Sequence, residues 1–394
     1  METRYLVTGG AGFIGANFVK YVLDAHTDAR VLVLDALTYA GNLATIAPEI
    51  RGGRVEFVRG DIGDAVLVDG LMARFDPHFV VNFAAESHVD RSITGPRVFM
   101  ETNVMGAHTL LEAARRAWTA GDGTVRSDRR FLQISTDEVY GALEKDIPAG
   151  RTLDVPEGCA GLLHGRTAPM TYGSRMFTED TPLCPHSPYS ASKASADMIA
   201  RAYHDTYRLP VLVTRCSNNY GPYQFPEKLI PLIINNILDG RRLPVYGDGS
   251  NVRDWLYVDD HAAAIDKVLR EGRVGEVYNI GGFNERSNID IVRLVIDIMA
   301  RIMRKEPHYR KLCKLAPEEI NCSLIDFVTD RPGHDMRYAI DPEKIVDELG
   351  WAPATPFDRG IERTVRWYLD HSDWVEGVTS GDYMNYYNSM YHNR

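Results

Sequence analysis

Tyr5-Leu6-Val7-Thr8-Gly9-Gly10-Ala11-Gly12-Phe13-Ile14-Gly15 decides the fold. An apolar strand ends in a glycine turn, and a helix-compatible run follows from Ala16 to Leu23. In that setting Gly10 permits the tight turn and Gly12 lets backbone approach a pyrophosphate. Gly15 allows the helix to pack closely on the strand. Phosphates placed there meet a helix N-terminus, whose free amides and dipole favour negative charge. Asp35 closes the second apolar run twenty positions after Gly15. A carboxylate at that point accepts hydrogen bonds from an adenosine ribose and repels a 2′-phosphate, which predicts NAD over NADP. The candidate cofactor residues here are Gly9, Gly12, Phe13, Ile14, Gly15, Asp35, Ala36, Leu37 and Thr38, with Asp61 and Ile62 beside the adenine.

Outward from this turn, short β-branched runs alternate with helix-length segments. Strands are expected at Arg4–Thr8, Val31–Asp35, Val55–Arg59, Phe79–Phe83, Arg130–Ser135 and Pro210–Arg215, and a seventh at Glu276–Ile280. This is the pattern of βαβ units building a Rossmann-type, doubly wound parallel α/β sheet with both faces covered. The late return at Glu276 predicts a second, smaller α/β domain interleaved with the first. We expect a dinucleotide-binding domain over 1–215 and 252–283, and a substrate domain over 216–251 and 284–394. Ala300–Val328 reads as a helix followed by a strand. Tyr140–Pro188 is loop-like, rich in Gly, Pro and Thr, and such insertions sit on surfaces near sites.

A chain of 394 residues is too long for one simple core. Its net charge of −10, with no Lys/Arg stripe, argues against a nucleic-acid surface. An anionic ligand must then be held by a few local cations and backbone amides. The five cysteines show no CxxC or metal-ligand spacing, and reduced thiols in a cytoplasmic protein are expected, with no metal. Met1 leads directly into a strand, which gives no reading of a signal peptide. No apolar stretch approaches the ~20 residues that span a bilayer, so no membrane partner is expected.

Chemistry enters with two further stretches. Ser187-Pro188-Tyr189 reads as a helix start, with Ser187 as N-cap and Pro188 as first helical residue. Tyr189 and Lys193 then share one face, a turn apart. A phenol is a poor base at its ordinary pKa of about 10. A neighbouring ammonium and a cationic nicotinamide are both expected to lower that value, so that the phenolate takes a hydroxyl proton as hydride leaves. Lys193 is also expected to hold the nicotinamide ribose. The second stretch is Ser135-Thr136-Asp137-Glu138-Val139-Tyr140-Gly141, two adjacent carboxylates at a strand end. Either they cap the segment that follows, or they serve an enzyme that must remove a hydroxide and a carbon-bound proton. A plain dehydrogenase needs no such pair.

Together with Ala84-Ala85-Glu86-Ser87-His88-Val89-Asp90-Arg91-Ser92, Ser187 to Ser195, Cys216 to Pro231, Val245 to His261 and Asp330 to Asp341, these motifs carry a resemblance. The chain resembles the extended short-chain dehydrogenases/reductases and, among them, the dTDP-glucose 4,6-dehydratase family. The resemblance implies an NAD-dependent lyase with tightly held NAD. It implies oxidation of the sugar at C4, loss of water across C5–C6 and hydride return to C6. Thr136 would hold the C4 oxygen beside Tyr189, Glu138 would take the C5 proton, and Asp137 would protonate the leaving C6 hydroxyl. Phe83, Ala84, Ala85, Ser87, Thr102 and Asn219 join the implied cofactor contacts. Glu86 and Ser87 close the fourth strand, where ligands of such sheets bind.

Two phosphates and a nucleoside need cations and an apolar platform. Arg253, in Arg253-Asp254-Trp255, and Arg331 are natural bidentate phosphate partners, or else structural ion pairs. By resemblance Asn218, Lys228, Leu229, Asn288 and His334 join them. Pro244 and Tyr246 would flank the base and Tyr383 would reach in from the C-terminal tail. His88 and His334 read equally well as core histidines. Asp341-Pro342 reads as the cap of a C-terminal helix. The helices Asn103–Ala117 and Tyr189–Tyr207 are expected to pair across a homodimer. A sugar 4-epimerase on the same fold would need only Tyr189, Lys193 and a strand-end hydroxyl. A cofactor-sensing protein on the same fold commonly loses the Tyr or the Lys, whereas this chain retains both Tyr189 and Lys193. Thymidine against uridine specificity is not written in these residues.

Overall fold

The computed structural model describes residues 2–147, 151–152 and 170–379. Its strands, in chain order, are β1 (Thr3–Thr8), β2 (Ala29–Asp35), β3 (Val55–Arg59), β4 (Phe79–Asn82), β5 (Arg130–Thr136), β6 (Arg151–Thr152), β7 (Met170–Thr171), β8 (Val211–Cys216), β9 (Asn218–Tyr220), β10 (Leu243–Tyr246), β11 (Val252–Tyr257), β12 (Val277–Ile280), β13 (Glu285–Ser287) and β14 (Ile325–Val328). The central sheet has seven strands in the order β12-β8-β5-β4-β1-β2-β3, and every pair in it is parallel. All seven expected strands are present, their ends within two residues of the expectation. The apolar run Val31-Leu32-Val33-Leu34 is wholly buried, as a strand covered by helices on both faces must be.

Winding starts at β1, moves outward through β2 and β3, then jumps back past β1 to β4 and on through β5. The reversal opens a crevice at the carboxyl ends of β1 and β4, the place where such sheets bind ligands. One face of the sheet packs on the helix Phe13–Ala25, which buries Phe18, Val19 and Val22, and on Val258–Glu271. The other face packs on Ala65–Phe75 and Ala107–Trp118, burying Leu71, Leu110 and Trp118. Each fully buried Val or Leu contributes about 1.5–3 kcal/mol, so these faces fix the sheet firmly.

A separate core gathers Tyr220, Ile233, Leu243, Trp255, Val295, Met299, Ile361 and Tyr368. It is built on the helices Leu229–Asp239, Asn288–Lys305 and Phe357–Asp370, the parallel pair β10-β14 and the three-stranded β13-β11-β9. The chain passes between the two cores repeatedly. Leu256, Ile265, Tyr278, Ile345 and Trp351 belong to the sheet's core, whereas Tyr257, Val292 and Phe357 belong to the other. In the stretch Ala300–Val328 the helix ends at Lys305, a 3-10 helix Pro307–Leu312 intervenes, and β14 closes it.

One element differs from expectation. The helix expected from Asn103 does not start as an α-helix; Met100–Gly106 is a π-helical turn that leads into Ala107–Trp118. The wider turn faces Asn103 inward. Its side chain accepts from Glu86 N (2.8 Å) and donates to Glu86 O (2.9 Å) and Ser192 Oγ (2.8 Å). Such π turns recur at functional sites, and this one pins the end of β4 to the helix Pro188–Tyr207.

Candidate active site

One continuous cleft runs along the carboxyl ends of β1, β2, β4, β5 and β8. Its first end is made of backbone. Gly12 is the N-cap of the helix Phe13–Ala25, which has no side-chain cap and no acid in its first turn, so its leading amides are open to an anion. Gly9 has φ +67°, and a Cβ there would lie 2.7 Å from Ala84 N. Asp35 accepts from Ala11 N (2.9 Å) through Oδ2 and from Leu37 N (2.8 Å) through Oδ1. Burial raises its pKa and these two amides hold it down. Each oxygen keeps a lone pair for a ribose hydroxyl. An uncapped helix start, a glycine cradle and a fixed carboxylate together fit a dinucleotide.

At the other end, β5 delivers Thr136 and a single 3-10 turn, Asp137–Tyr140, carries both carboxylates. Thr136 caps that turn, its hydroxyl accepting from Glu138 N (3.3 Å) and donating to Asp137 Oδ1 (3.2 Å). Asp137 is 1% exposed, and its Oδ2 has no hydrogen-bond partner among the described residues. Burial, then the neighbouring Glu138 charge, push Asp137 well above the usual carboxylate range, against the pull of Arg253. Burial also raises Glu138, but Arg331, Arg253 and Lys228 all draw it back. The adjacent acids are therefore unequal, with Asp137 raised the further of the two.

Ser187 caps the helix Pro188–Tyr207 through a capping box with Ser190, as expected. The helix presents Tyr189 and Lys193 to the cleft. Lys193 Nζ donates to Ile134 O at 2.6 Å. Here one expectation is corrected. In the protein alone the Tyr189 phenol lies well above 10, raised by burial and then by the Glu138 charge, and the largest influence lowering it is a hydrogen bond with Thr136. Lys193 is engaged at the carbonyl, and desolvation of the phenol outweighs its attraction.

All the expected cofactor residues line the cleft except Leu37, whose amide instead fixes Asp35. Glu86, Ser87, Thr136, Asn218 and Lys228 line it too. Lys228 Nζ donates to Ser87 O (3.0 Å), and Leu229 opens the following helix. Asn219 is oriented by His261, whose Nδ1 lies 2.9 Å from its Oδ1. Burial pushes His261 down to about 3, so it is neutral and donates from Nδ1. Arg331, Tyr246 and His334 do not line this cleft and gather around buried Asp90. Arg331 Nη1 and Tyr246 Oη approach its two oxygens at 3.3 and 3.0 Å. The His334 ring stands edge-on to Tyr246 and pairs with Asp330 (2.6 Å). Arg253 donates to Val252 O (2.7 Å) and Asp335 O (3.0 Å) and lies 4.1 Å from the Tyr338 ring, where its charge acts on both carboxylates. Pro244 lies in β10, beside β14. Asn288 starts the helix Asn288–Lys305, its amide donating to Asn251 O (2.9 Å). Asp341 caps Glu343–Leu349 by accepting from Glu343 N (3.0 Å). Tyr383, and residues 148–150 and 153–169 of the loop-like Tyr140–Pro188, lie outside the described residues.

Sequence reasoning missed Asn103, Glu227 and Cys216. Glu227 is buried in the cleft wall, 3.4 Å from Arg91. Its place in the run Cys216 to Pro231 was the signal available, but nothing in its spacing marks it as inward-facing. Among the described residues there is no metal-type cluster and no helix long and apolar enough to cross a membrane.

The chain belongs to the NAD-dependent epimerase/dehydratase family, whose model matches residues 5–281. Among its relatives are dTDP-glucose 4,6-dehydratases. The one from Xanthomonas campestris pv. campestris (strain B100) is 52% identical over 379 residues, 96% of this chain and 97% of that protein. The one from Shigella flexneri is 48% identical over 391 residues, 99% of each. A solved dTDP-glucose 4,6-dehydratase from Streptomyces venezuelae, with NAD and dTDP bound, is 45% identical, with a TM-score of 0.79 over 95% of this chain and 100% of that one.

Proposed function

We propose that the chain is an NAD-dependent hydro-lyase that converts dTDP-glucose to dTDP-4-keto-6-deoxyglucose and water. The observation that carries this is the unequal pair beside Thr136 and Tyr189, a buried Asp137 and a half-buried Glu138. An epimerase would leave both carboxylates without a task. Full-length likeness to dTDP-glucose 4,6-dehydratases supports the same reading.

The glycine turn and Asp35 would hold NAD, which would supply the hydride chemistry between C4 and C6. With the nicotinamide cation bound to offset the burial that raises its phenol, Tyr189 would take the C4 hydroxyl proton as phenolate, and the Thr136 hydroxyl would hold the same oxygen. Lys193 provides the positive charge at the ribose. A ketone at C4 makes the C5 proton acidic. Glu138, whose carboxylate form Arg331, Arg253 and Lys228 favour against burial, removes it. Asp137, the more strongly raised acid, gives a proton to the departing C6 hydroxyl, which leaves as water. As hydride returns to C6, Glu138 gives its proton back to C5, and the proton taken by Tyr189 makes up through solvent for the one Asp137 gave. A positioned acid and a positioned base supply about 10²–10⁴ each.

Glu86, Ser87, Asn218 and Lys228 are assigned to the sugar diphosphate. Arg331, His334 and Tyr246, with Leu229, Pro244, Asn288, Arg253 and Tyr383, are assigned to the rest of the nucleotide. We assign the dinucleotide to 1–215 and 252–283 and the nucleotide sugar to 216–251 and 284–394. A homodimer through the helices Ala107–Trp118 and Pro188–Tyr207 is supported by the apolar side chains they and the turn before them leave exposed, Met100, Met105, Met198 and Tyr207. A cytoplasmic setting is supported by the free thiols of Cys184, Cys216, Cys313 and Cys322.

Incubation with dTDP-glucose should give a 4-keto-6-deoxy product that absorbs in alkali. No product from any nucleotide-glucose would sink the assignment, and a preference for UDP-glucose would correct its nucleotide.

A further inference from the structure

Lys193 has a charge problem that its hydrogen bond does not solve. It is 5% exposed, and its partner at 2.6 Å is the neutral carbonyl of Ile134. A carbonyl fixes where the nitrogen sits, but a buried ammonium still tends to shed its proton. Asp197 lies one turn further along the same helix, four residues on, and is 2% exposed. At that spacing two side chains are neighbours on the helix surface. Asp197 is itself anchored from behind. Its Oδ2 accepts from Arg215 Nε (2.9 Å), Arg215 Nη1 donates to Tyr140 Oη (2.9 Å), and Tyr140 donates to Asn279 Oδ1 (2.7 Å).

The titratable groups around Lys193 are few. Tyr189 and Asp197 share its helix, Cys216 and Arg215 come from β8, and Asp137 comes from the end of β5. The Cys216 thiol is pushed up to about 12 by burial and stays neutral, and burial raises Asp137 well above the usual carboxylate range. Arg215 is taken up by Asp197 and Tyr140. Burial lowers Lys193 from its ordinary value, and the Asp197 charge is the largest influence opposing this.

We propose that Asp197 is a positioning residue of the oxidation step: held by Arg215, it keeps Lys193 an ammonium ion at the edge of the cleft. The inference rests on the role given above to Tyr189 and Lys193. An Asp197 that served only to pair Arg215 would affect folding and leave the proton affinity of Lys193 alone.

Two measurements separate these roles. The first is the pH dependence of cofactor reduction on mixing the holoenzyme with dTDP-glucose. The second uses no substrate: the rate at which acetic anhydride labels Lys193, followed by peptide mass spectrometry against pH. Asp197→Asn strands a buried guanidinium and loses stability. The double variant Asp197→Asn/Arg215→Met removes both charges, and Asp197→Glu restores the carboxylate. In both neutral variants the labelling midpoint and the alkaline limb of cofactor reduction should move to lower pH by about one unit. KM for the nucleotide sugar should stay within about twofold, and Asp197→Glu should recover most of the shift. An unmoved labelling midpoint in a folded double variant overturns the inference. Absence of turnover by the wild type overturns the functional reading instead, and the labelling curves still decide the role of Asp197.

Discussion

At the glycine end of the cleft the chain presents backbone, whereas at the Asp137 end it presents side chains. Gly9, Gly12 and the open amides of the helix Phe13–Ala25 work because nothing projects from them, and their dipoles are fixed whatever the pH. Thr136, Asp137, Tyr189 and Lys193 are all at most 9% exposed, and the three titratable ones are each moved from their ordinary pKa by burial. One end binds by shape and cannot be tuned. The other is tuned by its neighbours and is correspondingly sensitive to them. Substitutions at the two ends should therefore fail in different ways.

The largest effect is expected at Tyr189. Tyr189→Phe removes the group that takes the C4 proton, so turnover should fall by about 10³-fold or more. The reduced-cofactor band should never appear on mixing with substrate, while the bound NAD content is unchanged. Next comes Glu138→Gln, with turnover down about 10²–10⁴-fold. It should still reduce its cofactor and then stall, and unchanged turnover would remove Glu138 from the base role. Because the Glu138 charge is the largest electrostatic influence raising Asp137, this variant should also make Asp137 a stronger acid.

The same coupling shapes the pH profile. A base works above its pKa and an acid below it. The elimination step should rise with pH as Glu138 ionises, then fall as Asp137, raised further, loses its proton. The two limbs belong to the pair rather than to either residue. A profile without an alkaline limb in Asp137→Asn, beside a two-limbed wild type, would assign that limb.

The glycine end should break differently. A Cβ at Gly15 would collide with the Gly9 carbonyl. Gly15→Ala should cost about 1–3 kcal/mol in overpacking and yield protein depleted of NAD. Its elimination pH profile, measured with added cofactor, should keep its shape. The smallest effect is expected for Asp35→Asn, which loses one of two engaged oxygens. NAD affinity should drop by about tenfold, in line with the ~1–3 kcal/mol of a charged hydrogen bond, with discrimination against NADP relaxed. A tenfold gain for NAD would contradict the role of Asp35.

The glycine end was legible because its information is local: strand, turn, helix start and Asp35 all lie within one unit of chain. The capped start at Ser187 and the strand-end acids were legible for the same reason. Distance hid the rest. Nothing in the sequence tells that Asn103 turns inward, since an α-helix and a π turn share one apolar pattern. The reach of Arg253 to the acid pair depends on β11 lying against β9, a pairing between residues far apart in the chain. The short strands β9, β10 and β13 lack the length to show a period. Lys193 alone does not acidify Tyr189 in the protein without cofactor, since burial outweighs it and proximity in sequence says nothing about the Ile134 carbonyl that engages the lysine.

The repeated passage of the chain between its two cores has an evolutionary consequence. Because β8, β9, β11, β12 and the helices Glu343–Leu349 and Phe357–Asp370 alternate between them, no single crossover in a gene could exchange one core and keep the other whole. New substrates must therefore be reached by substitution in place, one contact at a time. The acid pair, carried at the end of a strand of the central sheet rather than on an exchangeable module, stays with the cofactor cleft through any such change.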